Sequence, residues 1–281
     1  MTASTDMKAM TSAADRTAIA PFRGRVAMIT GGGSGIGRAT ALRYARGGGT
    51  VIVCGRRPEP LAETAELIRG AGGQAGTFSL DVRDADEVRR VVDEIRGRHG
   101  RIDALVNNAA GNFVAPAEKL SANGWRAVID IVLNGTFYCT RAAADVMLEQ
   151  GSGSVLSVIA SYAWTGHPGT VHSAAAKAGV LAMTRTLAAE WASRGVRLNC
   201  MAPGPTATEG AGQALWPDGD SHRRVVDSVP AGRFASPEEI ADIAAFLLED
   251  RSAYITGEVL TADGGQWLGR QVYGAPLGRE G

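Results

Sequence analysis

The sequence predicts an α/β fold in which helices cover both faces of one doubly wound parallel sheet. Three observations favour this fold class: short apolar runs recur along the chain, stretches of helical character separate them, and a glycine-rich turn follows the first run. Alternating strands and helices are typical of parallel sheets, because each crossover places a helix against a face of the sheet. In such sheets, ligands bind at the carboxyl ends of the strands.

Each predicted strand is a short apolar or β-branched run. These runs lie at 26–30, 51–54, 77–80, 102–106, 154–159, 196–201 and 258–261. The helices carry start and stop signals, because Pro58 and Pro237 suit a first helical position, Asp84 suits an N-cap, and Gly70 suits a helix end. The predicted helices span 38–46, 58–68, 85–98, 125–150, 174–193 and 237–248. We expect one Rossmann-like domain at 24–270, a mobile N-terminal tail at 1–23 and a C-terminal tail at 271–281.

Composition argues against several classes of function. Lys plus Arg and Asp plus Glu both number 29, so no net charge favours nucleic acid or an anionic membrane as a partner. No apolar run approaches the ~20 residues of a membrane span, and the first residues lack the apolar segment of a signal peptide. Neither the cysteines nor the histidines show metal-ligand spacing, and the chain has no disulfide pattern; the residues concerned are Cys54, Cys139, Cys200, His167 and His172. We expect a cytoplasmic protein without a metal.

The glycine-rich turn at 30–37 is the stretch around which the other elements are arranged. Gly31, Gly35 and Gly37 follow Thr30 in the spacing Thr-Gly-x-x-x-Gly-x-Gly, which differs from the G-x-G-x-x-G dinucleotide fingerprint. Glycine lets the backbone turn sharply and approach a ligand, and the N–H groups that open the next helix favour a pyrophosphate. A plain flexible loop is the alternative, but the position directly after a strand favours a nucleotide site.

The end of the second strand indicates which dinucleotide binds. An NAD site places an acidic residue there to hold the ribose 2′-hydroxyl, whereas this chain has Gly55 followed by Arg56 and Arg57. Guanidinium groups bind a 2′-phosphate through paired hydrogen bonds. Arg38, just after the last glycine, supports the same interpretation. Arginines on a solvated turn are the alternative, but we expect NADPH.

These motifs resemble the short-chain dehydrogenase/reductase family from about residue 25 to residue 265. The matching positions are 30–37, Asp81, 107–109, Lys177 and 203–204, in the family's order and spacing. The resemblance implies that the adenine lies near Asp81, that the nicotinamide lies near 203–208, and that Lys177 holds the nicotinamide ribose. The full set of expected cofactor contacts is Gly31, Gly33, Ser34, Gly35, Ile36, Gly37, Arg38, Arg56, Arg57, Asp81, Val82, Asn108, Ala109, Lys177, Pro203, Gly204, Thr206 and Thr208.

The chain departs from this family at the residues that reduce ketones. The family's tyrosine, four residues before the lysine, is replaced by Ser173, its serine by Ala160, and its asparagine in the central helix by Val132. A phenol donates a proton to a carbonyl oxygen during ketone reduction, and an aliphatic hydroxyl is a far weaker acid. The chain is therefore either a non-catalytic scaffold or an enzyme whose product is not an alcohol.

A second polar set resembles the 2,4-dienoyl-CoA reductases. Tyr162, Ser173 and Lys177 match their tyrosine, serine and lysine, and Asn112 follows the strand end at 107–111. The resemblance implies NADPH-dependent reduction of a 2,4-dienoyl-CoA to a 3-enoyl-CoA in unsaturated fatty acid degradation. Tyr162 and Asn112 are the expected donors to the thioester oxygen, and Ser173 is expected to position Lys177. Lys177 is also expected to lower the pKa of Tyr162.

Two other functions remain open at this point. The run at 171–173 also resembles peroxisomal 2-enoyl-CoA reductases, which likewise lack the usual tyrosine, and a non-catalytic nucleotide-binding partner subunit is a further possibility. Tyr162 and Ser173 also have structural explanations, as an aromatic at the edge of the core and as a helix N-cap.

Further expectations concern the substrate and the assembly. The segment 206–229 resembles the family's substrate-covering lid, and Leu215, Trp216 and Trp267 are candidates to line an acyl tunnel. The resemblance implies a homotetramer in which the two long helices pair across a two-fold axis. The alanines at 142–144 and 188–189 would permit that close packing.

Overall fold

One parallel sheet organises the part of the chain that this computed structural model describes, residues 20–208 and 219–268. Its strand order is β3-β2-β1-β4-β5-β6-β7, so the chain winds outward from β1 in one direction and from β4 in the other. The predicted fold class is confirmed. The strands are β1 (Val26–Thr30), β2 (Thr50–Gly55), β3 (Gln74–Ser79), β4 (Ala104–Asn107), β5 (Gly153–Val158), β6 (Val196–Pro203) and β7 (Val259–Ala262).

Helices cover both faces of the sheet. They are α1 (Gly35–Arg46), α2 (Pro58–Gly70), α3 (Ala85–His99), α4 (Ala122–Ile129), α5 (Gly135–Gln150), α6 (Tyr162–Thr165), α7 (Val171–Trp191), α8 (Gly219–Asp227) and α9 (Pro237–Leu248). Buried residues of α1, α2 and α9 pack on one face, and those of α3, α5 and α7 pack on the other. Within β1, Met28 faces the layer of α3, α5 and α7, whereas Ala27 and Ile29 face the layer of α1, α2 and α9, as the two-residue period of a strand requires.

The long central helix is interrupted where the sequence predicts a continuous one at 125–150. α4 begins at Ala122 because the Ser121 hydroxyl caps it, accepting a hydrogen bond from the Gly124 N–H at 3.0 Å. A π-helical turn, Asp130–Asn134, then separates α4 from α5, and the Asn134 amide donates to Asp130 across it. π-turns of this kind are frequent near functional sites.

The end of the expected N-terminal tail, 1–23, packs against the folded domain. Phe22 is fully buried and stacks on Tyr44, with ring centroids 3.9 Å apart. A Cβ at Gly47 would lie 2.5 Å from the Phe22 ring, so the turn after α1 accommodates this contact only with glycine. Residues 20–23 therefore belong to the folded body.

The expected lid is described only in part. Residues 219–227 form α8, whereas 209–218, which include Leu215 and Trp216, lie outside the described residues.

The expectation that small residues of the long helices form a subunit interface is wrong for most of them. Ala142, Ala143, Ala144 and Ala188 are buried in the chain's own core. In the described part of the chain, no helix combines the length and apolarity needed to cross a membrane.

Candidate active site

The glycine turn is held in a tight conformation that only glycine permits. Gly31 has φ +65°, and its N–H donates to the Cys54 carbonyl at 2.8 Å. A Cβ at Gly37 would lie 2.3 Å from the Gly31 oxygen and 2.5 Å from the Asn108 Nδ2. Gly37 therefore brings the start of α1 against the turn, as the predicted nucleotide site requires.

Thr30 and Asn108 join the turn to β4. The Thr30 Oγ1 accepts hydrogen bonds from the N–H groups of Asn108 and Ala109, at 3.1 and 3.0 Å. The Asn108 side-chain amide donates in return to the carbonyls of Thr30 and Gly31, both at 3.1 Å. These bonds align the carboxyl ends of β1 and β4, where ligands of doubly wound sheets bind.

A cleft of about 510 Å³ opens at this edge of the sheet. Most predicted contacts to the adenosine half of a dinucleotide line it: Gly31, Gly33, Ser34, Arg56, Arg57, Asp81, Val82, Asn108 and Ala109. Ser34 is the N-cap of α1, yet its side chain makes no capping bond, so the first N–H groups of the helix are available to an anion. The cleft therefore fits a nucleotide with its phosphates at the start of α1.

The predicted arginines divide into two groups. Arg56 and Arg57 are exposed at the cleft and form no ion pair with any described residue. The prediction that Arg38 also faces a 2′-phosphate is wrong. Its guanidinium donates to the Gly33 carbonyl at 2.7 and 3.0 Å, to Thr64 at 3.1 Å and to Glu63 at 2.9 Å. Arg38 thus ties the glycine turn to α2.

The other predicted cofactor positions lie beside this cleft. Gly35 and Ile36 begin α1, and Gly35 faces Thr208, whose Cγ2 would be 3.1 Å from a Cβ at Gly35. The Thr206 hydroxyl donates to the Gly204 carbonyl at 3.0 Å, which shapes the loop after Pro203. This loop therefore lies opposite the glycine turn, where the resemblance expects the nicotinamide end.

Tyr162 and Ser173 are hydrogen bonded, with 3.1 Å between their hydroxyl oxygens. Tyr162 begins α6, and Ser173 lies in the first turn of α7, which starts at Val171 rather than at the predicted 174. Thr170 occupies the N-cap position, so the alternative that Ser173 is only a helix cap is wrong. The structure brings together the two hydroxyl groups that the sequence singles out.

Lys177 lies one helical turn beyond Ser173 and is 8% exposed. Its Nζ donates to the Val158 carbonyl at 2.5 Å, and the described residues offer it no other hydrogen bond. Burial lowers the pKa of Lys177 to about 8. The ammonium therefore retains N–H donors for a ligand such as a ribose hydroxyl.

The expectation that Lys177 lowers the pKa of Tyr162 is wrong. Burial is the main influence and raises the pKa of Tyr162, while the hydrogen bond with Ser173 opposes that rise. A raised pKa keeps the phenol protonated at neutral pH, so Tyr162 remains a hydrogen-bond donor.

The low pKa of Lys177 predicts how stability depends on pH. The unfolded chain holds this proton up to a pKa of about 10.4, so between pH 8 and 10.4 the unfolded state binds more protons and stability rises with pH. In urea unfolding at pH 7–10.5, the wild-type protein should gain up to roughly 3 kcal/mol relative to Lys177→Met. If the free energy of unfolding changed with pH in the same way for both proteins, the lowered pKa of Lys177 would be contradicted.

Asn112 presents its amide group as a donor. Its Oδ1 accepts a hydrogen bond from the Phe113 N–H at 2.9 Å, which fixes the orientation of the side chain. The Nδ2 donates to no described residue. The ketone-reducing set is absent as the sequence predicts, because Ala160 has no hydroxyl and Val132 is buried in an apolar cluster.

His172 is a feature that sequence reasoning missed. The ring is fully buried, both nitrogens lack a hydrogen-bond partner among the described residues, and it meets Phe113 edge-on at 4.5 Å. His172 shares its helix face with Ala176, which packs in the apolar cluster with Val128. The His172 ring therefore packs against the loop that carries Asn112. The sequence singles out His172 only as part of the run 171–173 and gives no sign that its ring is buried.

Residues 31–266 match the family described as enoyl-(acyl carrier protein) reductase. With the parallel sheet, the glycine turn and Lys177, this match shows that the chain belongs to the short-chain dehydrogenase/reductase family. It is an oxidoreductase with a site for a nicotinamide cofactor.

The relatives narrow this class further. The chain is 50% identical over 246 residues to "Probable 2,4-dienoyl-CoA reductase [(2E)-enoyl-CoA-producing]" of Bacillus subtilis (strain 168), covering 87% of this chain and 97% of that protein. It is 41% identical to "Probable 2,4-dienoyl-CoA reductase 3 [(3E)-enoyl-CoA-producing]" of Caenorhabditis elegans, over 87% of this chain and 81% of that protein. The crystal structure of a "putative NAD(P) dependent gluconate 5-dehydrogenase" from Beutenbergia cavernae, with bound NADP at low occupancy, superposes with a TM-score of 0.85 at 37% identity, over 89% of this chain and 99% of the other.

Proposed function

We propose that this chain is an NADPH-dependent reductase that converts a 2,4-dienoyl-CoA to a 3-enoyl-CoA in the degradation of unsaturated fatty acids. The observation that carries the proposal is the hydrogen-bonded pair of Tyr162 and Ser173, one helical turn from Lys177, where the ketone-reducing set is missing. Two relatives named as 2,4-dienoyl-CoA reductases support the choice of substrate. Arg56 and Arg57, which line the cleft and form no ion pair among residues 20–208 and 219–268, support NADPH rather than NADH.

Bound NADPH would supply a hydride to the far end of the conjugated thioester. The substrate then carries negative charge that is spread over its dienolate and centred on the thioester oxygen. Tyr162 and Asn112 would donate hydrogen bonds to that oxygen, with the Ser173 hydroxyl donating to the Tyr162 oxygen so that the phenolic hydrogen is left for the substrate. Donors fixed before the reaction need no reorganisation when the charge develops. Lys177 would hold the nicotinamide ribose, and Ser173 would orient the phenol.

The position of the remaining double bond depends on where the proton is delivered. Protonation of the dienolate at C2 leaves a 3-enoyl thioester, whereas protonation at C4 leaves a 2-enoyl thioester. Tyr162 would hold the thioester oxygen and would therefore lie nearer to C2 than to C4. This favours the 3-enoyl product, with Tyr162 or a water that it orients as the proton source. The 3-enoyl product agrees with the name of the Caenorhabditis elegans relative, whereas the Bacillus subtilis relative is named as producing the 2-enoyl thioester, so the NMR assignment of the product decides between the two sites of protonation.

A 2-enoyl-CoA reductase is the second candidate. The matched family's description as enoyl-(acyl carrier protein) reductase favours it, because a 2-enoyl thioester also places its developing charge on a thioester oxygen. The same donors would serve both reactions. The two candidates differ only in which substrate spans the distance between the oxygen-binding donors and the hydride.

A substrate panel tests the proposal. Oxidation of NADPH would be followed with 2,4-hexadienoyl-CoA, 2-hexenoyl-CoA and acetoacetyl-CoA, and the product would be identified by NMR. We expect rapid turnover of the dienoyl-CoA to the 3-enoyl-CoA and no useful rate on the ketone. Ser173→Tyr should not create a ketone reductase, because Ala160 still offers no hydroxyl to the substrate. Efficient reduction of acetoacetyl-CoA by the wild-type protein would overturn the proposal, and preference for 2-hexenoyl-CoA would establish the second candidate.

We also infer that the protein acts in the cytoplasm as a homotetramer. With the alanines of α5 buried, the exposed Phe137 on that helix is the apolar residue that supports such an interface. Light scattering at micromolar concentration tests the assembly, and a monomeric mass would exclude it.

A further inference from the structure

Two tryptophans form a half-exposed pair beside the candidate active site. The rings of Trp164 and Trp267 meet edge to face, with centroids 6.2 Å apart and planes at 87°. They are 39% and 40% exposed. Large apolar side chains that remain exposed together often mark a place where a ligand or partner binds. The sequence marks Trp267 as a candidate to line an acyl tunnel, whereas nothing in the sequence or in the mechanism above assigns a role to Trp164.

Trp164 is coupled to the catalytic tyrosine. Both residues belong to α6, in which the Trp164 N–H donates to the Ser161 carbonyl at 3.1 Å and the Gly166 N–H to the Tyr162 carbonyl at 3.0 Å. Trp164 and Tyr162 are therefore carried by the same short helix, two residues apart.

Trp267 is coupled to the loop expected at the nicotinamide end. The Asp263 carboxylate accepts hydrogen bonds from the N–H groups of Trp267 and Gly265, both at 2.9 Å. Asp263 packs so closely on Gly204 that a Cβ there would lie 2.6 Å from the Asp263 Cα. The turn that carries Trp267 is thus held against the loop at 203–204.

The pair therefore spans from the helix of Tyr162 to the loop at 203–204. We propose that Trp164 and Trp267 form the wall that contacts the alkyl tail of the acyl thioester and determines the preferred chain length. This inference rests on the proposed function, in which Tyr162 holds the thioester oxygen. The alkyl tail begins beyond the carbon that receives the hydride, so it extends from Tyr162 past the nicotinamide end, where Trp267 lies.

The chemistry of the wall suits a hydrocarbon. Indole rings provide a large, rigid apolar surface, and the exposed part of each residue is available to a ligand. Leu268, the next residue in the chain, is also exposed. Each methylene that leaves water should tighten binding by about fourfold.

Chain-length series with Trp164→Ala, Trp267→Ala and the matched Phe variants test the inference. The wild-type kcat/KM should rise from 2,4-hexadienoyl-CoA through 2,4-octadienoyl-CoA to 2,4-decadienoyl-CoA by up to about fourfold per methylene. Each alanine variant should flatten this rise and leave the hexadienoyl rate within about threefold of wild type. The phenylalanine variants should retain most of the rise. Tyr254→Ala is the control, because Tyr254 is a fully exposed aromatic at the opposite edge of the sheet, beside the start of β5.

Binding of unreactive thioesters separates this inference from the proposed function. In calorimetry with NADPH present, decanoyl-CoA should bind the wild-type protein more tightly than hexanoyl-CoA, and both alanine variants should lose that difference. If the wild-type protein reduces no dienoyl-CoA but shows this pattern, the proposed function fails and the alkyl site stands. If the difference is absent from the wild-type protein, or survives in both alanine variants, the inference is overturned.

Discussion

Replacing Tyr162 by phenylalanine should lower kcat on 2,4-hexadienoyl-CoA by about 10²–10³-fold, or 2.7–4 kcal/mol. The change removes the hydroxyl that is expected to donate to the developing oxyanion and leaves the ring in place. Since the interaction forms mainly in the transition state, KM and the Kd of NADPH should change little. Steady-state kinetics with the purified variant, together with direct titration of NADPH, would measure both.

Two further variants serve as comparisons for Tyr162→Phe. Tyr138→Phe makes the same chemical change at a half-buried tyrosine of the core and should leave kcat unchanged. Ser173→Ala removes the bond that orients the Tyr162 hydroxyl, so it should reduce kcat less than Tyr162→Phe does. If Tyr162→Phe retained the wild-type rate, the proton would have to come from another source, such as a water held by Asn112.

Replacing Arg56 by aspartate should weaken NADPH binding by about 10–150-fold, because one charge-assisted hydrogen bond contributes about 1.5–3 kcal/mol. Arg56 is exposed at the cleft, so its charge is available to the 2′-phosphate. NADH has no phosphate there, and its Kd should change little. Fluorescence titration with each cofactor would measure the two Kd values. The affinity for NADPH relative to NADH should fall, mainly because NADPH binds more weakly.

Arg38→Gln is the matched control for that experiment. Arg38 holds the Gly33 carbonyl and contacts Thr64 and Glu63, so its loss should disturb the turn that binds the pyrophosphate common to both cofactors. NADPH and NADH should weaken equally in this variant. Equal affinity of the wild-type protein for the two cofactors would refute the predicted preference.

Much of the fold can be predicted from local patterns. Apolar runs between helical stretches predict the seven strands and their parallel arrangement, and the Asp84 and Pro237 signals predict helix starts that the structure confirms. Interruptions are harder to predict. The π-turn at Asp130–Asn134 and the early start of α7 depend on how those helices pack, which the periodicity of either segment does not contain.

The candidate site likewise has features that the sequence predicts and features that only the folded structure decides. The absence of the ketone-reducing residues follows from residue identity alone, and so does the presence of Tyr162, Ser173 and Lys177 at the spacing of a second set. Their contact does not follow from spacing. The rest of α6, a turn and the start of α7 separate Tyr162 from Ser173, and only the folded chain sets the 3.1 Å between their hydroxyl oxygens.

The sequence by itself determined the class of fold, the glycine turn and the missing chemistry, because strand and helix periods, glycine positions and side-chain identities are local properties. The tertiary structure decided which charges are free and which groups titrate. Arg38 is hydrogen bonded to residues of α2, whereas Arg56 forms no ion pair within the described part of the chain, and burial is the main influence on the pKa values of Tyr162 and Lys177. Trp164 and Trp267 meet only because the sheet brings the end of β5 and the end of β7 to one edge. Desolvation and pairing depend on neighbours that are distant in the chain, so they emerge only when the chain is folded.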